Sequence, residues 1–369
     1  MKDAEDRTWE TVRRAYEGRP TRPSPHRLRN TVLLAGAAAV LAAAVLSPPG
    51  RAVFERVREA VGVEHAAPTL FSLPSQGRLL VVSAGHGGVW LVHANGLKRR
   101  IGSYDDAEWS PLGLFIVATH GNELEALEPS GTVRWTLARR QPSSPRWEGT
   151  RTDTRIAYLT RSGLRVVAGD GTGDHLLDRL ALQSAPAWDP ARAHTVAYLT
   201  RGAIVLRDAD SGRVIWRAPV SLLHADLEWS DDGKLLAVRS RTRITVFDAN
   251  GHELREITLL GSALQGMAFE PGTHRLAVTA RVANRSEVRV LDVDRPGAGV
   301  IVFAGPGSFG DIAWSPDGGW LLVTWPTANQ WVFLHDERVH AVGNIREQFP
   351  RADDVQPVLQ LAGRWCCNS

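Results

Sequence analysis

Residues 313–323 read AWSPDGGWLLV, and residues 228–238 repeat the same pattern as EWSDDGKLLAV. In both copies a tryptophan precedes a turn rich in Asp, Pro and Gly, and a short apolar strand follows the turn. An aromatic residue occupies the equivalent position roughly every 40 residues. These aromatic anchors are Phe71, Trp109, Trp147, Trp188, Trp229, Phe269 and Trp314. The chain therefore contains an internal repeat.

Each repeat unit holds more than the strand with the aromatic anchor and the apolar strand after the turn, which are its first and second strands. A third strand, with alternating apolar residues, follows a brief loop, as in RITVFD at 243–248 and WVFLHD at 331–336. Another turn, NG at 250–251 or DSG at 210–212, leads into a fourth strand. Four short antiparallel strands in about 40 residues are typical of a propeller blade, which cannot bury both faces without neighbours. Residues 68–345 are therefore predicted to form one all-β domain, a β-propeller of about seven blades, with six or eight as the alternatives.

The two copies quoted above resemble the repeats of TolB-type and WD-repeat-like bacterial propellers. The resemblance covers roughly three quarters of the chain, although the Trp-Asp and Gly-His pairs of eukaryotic WD repeats are missing. SGTVRW at 130–135 and SGRVIW at 211–216 also resemble the repeats of quinone-type propellers. Only two units carry that pattern, so no bound quinone is implied. What the resemblance implies is a scaffold for protein or ligand contacts, because a fold alone does not set function.

An uncharged segment precedes the repeats. Residues 31–47 read TVLLAGAAAVLAAAVLS, and Pro-Pro-Gly at 48–50 then stops any helix. A helix of this length rises about 26 Å, slightly short of a hydrocarbon core of ~30 Å. The segment is interpreted as an uncleaved signal anchor because a long region precedes it, and a cleaved signal peptide or a buried soluble helix is the alternative. Unopposed arginines before the segment predict a cytoplasmic N-terminus and an exported bulk.

The other parts outside the repeats are short. Residues 1–30 are predicted to be a cytoplasmic segment that is too small to bury a core. Residues 48–67 are predicted to form a stalk with a short amphipathic helix, because apolar residues recur there at helical spacing among charges. Residues 346–369 are predicted to be a C-terminal tail that packs on the propeller near the first blade and helps to close the ring.

Composition and motifs limit the classes of function. The chain has 43 basic and 40 acidic residues, and this near balance argues against nucleic acid as a partner. The sequence contains no G-x-S-x-G, no H-E-x-x-H, no glycine-rich phosphate loop and no EF-hand run, and its 12 histidines are scattered. No catalytic residue, metal site or cofactor is therefore predicted, and the chain is expected not to be an enzyme. A propeller hydrolase, with site residues drawn from several blades, is the less favoured alternative.

The only two cysteines are adjacent, Cys366 and Cys367, which excludes a disulfide scaffold and a four-cysteine zinc site. In an oxidising compartment they are candidates for a vicinal disulfide. An intermolecular bridge and two free thiols are the alternatives.

Strand order predicts which residues share a face of the disc. Turns between the second and third strands of each blade lie on one face, and the candidate ligand-binding residues there are Arg161, Arg201, Arg239, Arg241, Arg281 and Arg285. The opposite turns are rich in aspartate. The basic face is expected to attract an anionic partner, since arginine suits phosphate and carboxylate, and the stalk is expected to enter there. The alternative is that turn chemistry and solvated strand ends explain both sets of charges.

These expectations combine into a single-pass membrane protein with an extracytoplasmic propeller. A short cytoplasmic segment, one span and a large exported domain favour a transmembrane regulator that couples an outside ligand to a cytoplasmic partner. A passive envelope scaffold or tethered binding module is the alternative. The expected partners are a protein or an anionic envelope ligand together with the cell membrane, and not nucleic acid.

Overall fold

Short antiparallel strands make up nearly all of the chain that the structure describes. The computed structural model describes residues 72–84, 88–222, 224–259, 262–295, 297–349 and 358–367. Within these ranges the chain forms 28 β-strands and two short 3-10 helices, Pro326–Ala328 and Arg346–Gln348. The all-β class predicted from the alternating apolar pattern is confirmed.

Among the described residues the strands form seven four-stranded sheets, and each sheet is one blade. In pairing order, blades 1 to 4 consist of β28 (Val358–Cys366), β1 (Arg78–Ala84), β2 (Gly88–His93) and β3 (Lys98–Gly102); β4 (Asp106–Trp109), β5 (Ile116–His120), β6 (Glu123–Leu127) and β7 (Val133–Ala138); β8 (Ser143–Trp147), β9 (Arg155–Thr160), β10 (Gly163–Ala168) and β11 (His175–Asp178); and β12 (Ala187–Trp188), β13 (Thr195–Thr200), β14 (Ala203–Asp208) and β15 (Val214–Pro219). Blades 5 to 7 consist of β16 (Asp226–Trp229), β17 (Leu235–Arg239), β18 (Arg243–Asp248) and β19 (Glu253–Thr258); β20 (Ser262–Phe269), β21 (Arg275–Val282), β22 (Arg285–Asp292) and β23 (Val300–Pro306); and β24 (Ile312–Trp314), β25 (Leu321–Trp325), β26 (Gln330–His335) and β27 (Arg338–Gly343).

The first strand given for each blade lies at the centre of the disc. These strands contact one another in a closed ring, in the order β28, β4, β8, β12, β16, β20 and β24. The remaining strands of each sheet pair outward in antiparallel fashion, as β17, β18 and β19 do in blade 5. The described part of the chain is therefore a β-propeller, and it has seven blades rather than six or eight.

The last strand of the chain is the innermost strand of the first blade. β28 pairs antiparallel with β1, with Ala362 opposite Leu80. Trp365 on β28 is 2% exposed and packs in a core shared by blades 1 and 7. The segment after residue 345 thus supplies the innermost strand of blade 1. β28 belongs to the same sheet as β1, although the two strands lie at opposite ends of the described chain. Phe71, the aromatic anchor predicted for the first unit, lies outside the described residues.

A serine directly after the anchor tryptophan closes the first turn of several blades. The Oγ of Ser230 accepts the backbone N–H of Leu235 at 3.0 Å, and the Oγ of Ser315 accepts that of Trp320 at 2.8 Å. Gly233 in the first of these turns has a φ of +67°, in the left-handed region that glycine adopts without strain. The S-x-D-G pattern therefore encodes a defined turn between the innermost and the second strand.

Two of the anchor tryptophans also join neighbouring blades by hydrogen bonds. The indole N–H of Trp188 in blade 4 donates to the carbonyl oxygen of Arg146 in blade 3 at 2.8 Å. The indole N–H of Trp314 in blade 7 donates to the carbonyl oxygen of Ala268 in blade 6 at 3.1 Å. Because the ring packs between the sheets while its polar atom is satisfied, one side chain contributes both apolar area and register between blades.

Alternating strand direction gives the disc two faces. We call the face with the turns at 161–162, 201–202, 240–242 and 283–284 the arginine face, and the face with the turns at 110–115, 189–194, 230–234 and 315–320 the aspartate face. These turns join the second to the third strand and the first to the second strand, respectively, so they lie at opposite ends of the blades.

The described chain starts at the aspartate face. The backbone N–H of Leu73 donates to the carbonyl oxygen of Ala94 at 2.8 Å, and the Oγ of Ser75 donates to Asp317 Oδ2 at 2.9 Å. Ala94 and Asp317 both belong to turns of this face. The stalk at 48–67 lies outside the described residues, so the expectation that it enters on the basic face stays a prediction. Because β28 takes the innermost place, β1 is the second strand of its blade and runs from the opposite face.

The segments predicted at 1–30, 31–47 and 48–67 lie outside the described residues. Within the part that the structure does describe, no helix is both long and apolar enough to cross a membrane.

Candidate functional site

Four of the six predicted arginines are exposed on the arginine face. Arg161, Arg201 and Arg241 lie in the turns of blades 3, 4 and 5 and form no ion pair within the described residues. Arg281 lies near the end of β21 in blade 6, and its Nη1 donates to Ser308 Oγ at 2.8 Å. We call these four side chains the arginine arc, since they follow one another over four successive blades.

The other two predicted arginines are held by neighbouring groups. Arg239 forms an ion pair with Asp226, and its Nη1 donates to the carbonyl oxygen of Leu264 in the next blade at 2.8 Å. Burial lowers the pKa of Arg239 to about 10. Arg285 pairs with Glu287 at 3.2 Å. The guanidinium groups of these two arginines are therefore engaged within the propeller, whereas those of the arginine arc remain available to a ligand.

Carboxylates near the arginine arc are already engaged. At this face in blades 3 to 6, Asp178 ends β11, Asp226 begins β16 and Asp311 lies in the connection before β24. Asp178 accepts the hydroxyl of Tyr198 at 2.6 Å, and Asp226 is paired with Arg239. Asp311 accepts a backbone N–H of β28 at 2.8 Å. Because these acids have partners of their own, the charge of the arginine arc remains directed at solvent.

Arg179 adds to the positive charge of this face. It is exposed and directly follows β11, in the connection from blade 3 to blade 4. Sequence reasoning missed Arg179 because it considered only the turns between the second and third strands. Connections between blades lie on the same face, so the strand order could have identified it.

Turn chemistry explains much of the aspartate face. The carboxylate of Asp208 accepts the backbone N–H of Ser211 at 2.8 Å, and that of Asp248 accepts the backbone N–H of Asn250 at 2.8 Å. Hydrogen bonds of this kind stabilise tight turns, which is why Asp is common at such positions. For these aspartates the structure favours the explanation from turn chemistry over a ligand-binding role.

Two histidines of the aspartate face bridge acids of adjacent blades. Nδ1 of His274 lies 2.8 Å from Asp294 in its own blade, and its Nε2 lies 3.2 Å from Asp232 in blade 5. Burial acts against protonation of His274, but the hydrogen bonds and charges of Asp294 and Asp232 outweigh it and raise the pKa. His194 is similarly placed between blades 3 and 4, with Nδ1 2.6 Å from Asp210 and a raised pKa. Both histidines therefore fasten neighbouring blades most strongly when protonated.

Charged side chains also lie on the innermost strands, where the sequence reasoning made no prediction. Glu108 on β4 has its Oε2 4.0 Å from Nε of Arg146 on β8. A Cβ at Gly363 on β28 would lie 2.3 Å from the Glu108 carboxylate, so glycine leaves room for that acid. Burial raises the pKa of Glu108, although Arg146 and the exposed Arg364 act in the opposite direction.

Glu228 on β16 is a second carboxyl of this central group with a raised pKa. Burial raises its pKa to about 7, although the backbone N–H of Phe269, which donates to its Oε1 at 2.9 Å, and the charge of Arg364 favour the ionised form. A carboxyl that titrates near neutrality can exchange a proton under physiological conditions. Its contact with Phe269 also joins blades 5 and 6, so a structural role accounts for the same geometry.

The sequence did carry a signal for this centre. A charged residue directly precedes an aromatic residue at Glu108, Arg146, Glu228 and Arg364. These positions are far apart in the chain, and only the ring of innermost strands brings them together. Within the described residues no group of three or more His, Cys, Asp or Glu side chains is arranged to hold a metal ion.

The cysteine pair lies at the seam of blades 1 and 2. The structure joins Cys366 and Cys367 in a vicinal disulfide, with a Cα–Cα distance of 3.7 Å. Cys366 is buried, and the Sγ of Cys367 lies 3.8 Å from the carbonyl oxygen of Pro111 in the first turn of blade 2. The redox state of the pair in the cell stays a prediction.

Comparisons with known proteins concern the fold. Neither a protein-family model nor a curated protein matches the chain. A chain of the solved structure titled "Crystal Structure of Mitotic Checkpoint Complex" aligns with a TM-score of 0.52 and 15% identity, covering 75% of this chain and 86% of that chain. A chain of "Kuenenia stuttgartiensis Hydrazine Synthase" aligns with a TM-score of 0.49 and 15% identity, covering 63% of this chain and 76% of that chain. At 15% identity the alignment with a TM-score of 0.52 concerns the fold alone.

Proposed function

We propose that this protein is a binding scaffold whose propeller holds an anionic partner, an acidic protein or an anionic envelope polymer, on the arginine face. The observation that carries the proposal is the arginine arc, four exposed guanidinium groups on successive blades beside acids that already have partners. Arginine presents planar pairs of N–H donors that match carboxylate and phosphate oxygens. Because the groups are spread over four blades, they suit an extended partner better than a small molecule.

The proposal includes a membrane anchor. Residues 31–47 would act as an uncleaved signal anchor, with residues 1–30 in the cytoplasm and the propeller outside it. Since the described chain starts at the aspartate face, nothing in its course directs the arginine face at lipid headgroups. We therefore favour an acidic protein or a wall polymer over the membrane surface as the partner.

A role as a transmembrane regulator follows if binding outside is coupled to a cytoplasmic partner, whereas a passive scaffold needs the N-terminal region only as a tether. Deletion of residues 2–25 separates the two roles, because it leaves the apolar segment intact. A regulator would lose its cellular phenotype on this deletion. A scaffold would keep it, provided that membrane fractionation shows the shortened protein still anchored.

The proposed role is binding and not catalysis. Assay of the full-length protein in detergent against panels of hydrolase substrates tests this point. Reproducible turnover that follows the protein through purification and is lost on heat unfolding would replace the binding role with a propeller hydrolase.

Charge reversal tests the arginine arc directly. The variant carrying Arg161→Glu, Arg201→Glu, Arg241→Glu and Arg281→Glu should bind poly-L-glutamate more weakly than the wild type, with the largest difference at low salt, where screening is least. The matched control reverses four exposed arginines outside the arc, and its substitutions are Arg99→Glu, Arg213→Glu, Arg217→Glu and Arg338→Glu.

Both variants have the same net charge, so a loss that is confined to the arc variant locates the binding surface. Equal losses in the two variants would show that only overall charge matters. Unchanged binding of the arc variant at low ionic strength would refute the proposal. Parallel measurements with phosphatidylglycerol and phosphatidylcholine vesicles distinguish a protein or polymer partner from a lipid surface.

A further inference from the structure

A groove lies between blades 2 and 3 on the aspartate face, on the opposite side of the disc from the arginine arc. Its volume is about 640 Å³, within the range of ligand-binding clefts in proteins. Its walls include Leu112, Leu114, Phe115, Trp135 and Trp147. The groove is therefore lined largely by apolar and aromatic side chains, although it opens on a face otherwise rich in aspartate.

The first turn of blade 2 departs from the chemistry of its sister turns. It reads SPLGLF at 110–115, whereas blade 5 has SDDGKL at 230–235 and blade 7 has SPDGGW at 315–320. In the sister turns the carboxylates of Asp232 and Asp317 each accept a backbone N–H two residues later, both at 3.1 Å. Leucine at position 112 cannot make this hydrogen bond. The turn itself is the same, since the Oγ of Ser110 still accepts the N–H five residues later at 2.9 Å.

The two leucines are exposed, so the core does not explain them. Leu112 is 46% exposed and Leu114 is 59% exposed. Removal of apolar area from water gains about 25 cal/mol per Å². Because Leu112 and Leu114 stay in water, they add no burial energy to the stability of the isolated propeller. A cluster of such exposed apolar side chains beside a groove is typical of a binding surface.

Aromatic rings form the floor of the groove, and the indole N–H groups there already have hydrogen-bond partners. Phe115 and Trp147 stack with ring centroids 6.4 Å apart and an interplanar angle of 15°. The indole N–H of Trp135 donates to the carbonyl oxygen of Gly169 at 3.0 Å, and that of Trp147 donates to Thr154 Oγ1 at 2.9 Å. An occupant therefore meets aromatic surface whose N–H donors are already used.

Among the described residues, the charged side chains that line the groove are Arg134, Arg151, Asp153 and Asp170. Asp170 accepts the backbone N–H and the hydroxyl of Thr172 at 3.0 and 2.7 Å, so its carboxylate is engaged by its own turn. Arg134 is paired with Glu128, and Asp153 is paired with Arg155. Arg151 lines the groove, is exposed and forms no ion pair within the described residues. Charge complementarity therefore favours an occupant with a carboxylate beside its apolar part.

We propose that this groove binds a peptide segment of a partner protein, in which one or two aliphatic or aromatic side chains enter between blades 2 and 3 and an acidic residue pairs with Arg151. A peptide fits better than a compact molecule because Leu112 and Leu114 line the groove and are still largely exposed, so that only a partner that extends over them would bury them. The site is independent of the arginine arc, so either proposal can fail while the other stands.

The test replaces the apolar turn by the polar chemistry of its sisters. Leu112→Asp and Leu114→Lys together convert the turn to SPDGKF, which combines residues that blades 5 and 7 use at the same positions. The double variant should fold, because the new aspartate can accept the same backbone N–H as Asp232 and Asp317 do. Thermal unfolding and circular dichroism check this before binding is measured.

The probes are fluorescein-labelled short peptides that vary two apolar positions and place aspartate, alanine or lysine beside them. Fluorescence anisotropy with the full-length protein in detergent should give saturable binding that prefers the aspartate peptides. The double variant should bind at least about tenfold more weakly, a loss of ~1.4 kcal/mol. Arg151→Glu should abolish the preference for aspartate over lysine while apolar binding persists.

Three outcomes would overturn the proposal. They are the absence of saturable binding by any peptide, equal binding by the wild type and the folded double variant, and a preference for small apolar carboxylates over every peptide. The quadruple arginine-arc variant serves as a control on the other face and should bind these peptides like the wild type.

Discussion

Replacement of Trp365 by alanine should destabilise the propeller strongly, because this side chain fastens the closing strand β28 into the ring. Trp365 is 2% exposed, and its ring meets that of Phe333 in blade 7 at 5.9 Å with an interplanar angle of 71°. It shares its core with Leu79 of blade 1. The substitution therefore opens a cavity between the first and the last blade.

The expected size of the effect follows from this burial. Truncation of a buried tryptophan to alanine costs about 3–5 kcal/mol, against a total stability of about 5–15 kcal/mol for a typical domain. For a domain of this size the melting temperature should fall by roughly 2 °C per kcal/mol, hence by about 6–10 °C. Trp365→Phe keeps an aromatic ring in place and should cost only about 1–2 kcal/mol.

Differential scanning fluorimetry of the full-length protein, supported by circular dichroism, measures these shifts. Leu97→Ala is the matched control in the same blade, because Leu97 is 66% exposed and should change stability by less than about 0.5 kcal/mol. If Trp365→Ala melts within about 1 °C of that control, β28 does not hold the ring closed and the reasoning is refuted.

Three further predictions concern two titratable groups and the cysteine pair. Burial raises the pKa of Glu228 to about 7 from an ordinary 4.5. Glu228→Gln should therefore be more stable than the wild type above pH 7 and should lose that advantage as the pH falls towards 4.5. A stability difference in urea unfolding that does not change with pH would contradict this. His274 has a raised pKa, so the wild type should exceed His274→Gln in stability below pH 6.5. This stability difference should vanish as the pH rises through the raised pKa. A difference that persists at about pH 9 would rule out the bridge between the two carboxylates as its cause. Intact-mass analysis of native protein should show no alkylation of Cys366 or Cys367 until a reductant is added, and two alkylated thiols in freshly isolated protein would exclude any bridge.

Part of the candidate site was accessible from the sequence. Because strand order sets which turns share a face, Arg161, Arg201, Arg241 and Arg281 could be placed on one side of the disc before any coordinates were known. Their separation from Arg239 and Arg285 could not be predicted in this way. It depends on whether a carboxylate such as Asp226 lies within reach, and that distance is set by packing between strands.

The groove between blades 2 and 3 shows the same division. The sequence contains its signal, since Leu112 and Leu114 stand where sister turns carry polar residues. The sequence does not show that Trp147, a residue of the next unit, stacks on Phe115 to form the floor. Such contacts join separate repeats, so a pattern within one repeat cannot specify them.

The sequence by itself determined that the protein is an all-β propeller, because a strand period of two and an aromatic anchor roughly every 40 residues are local properties that each blade repeats. Only the tertiary structure decided how the ring closes. The place of β28 inside blade 1 shifts the start of the described chain to the aspartate face and brings Arg364 near Glu108 and Glu228. The physical reason is that closure joins residues from the two ends of the propeller, and the energy that selects the pairing comes from burial between blades, which no local pattern encodes.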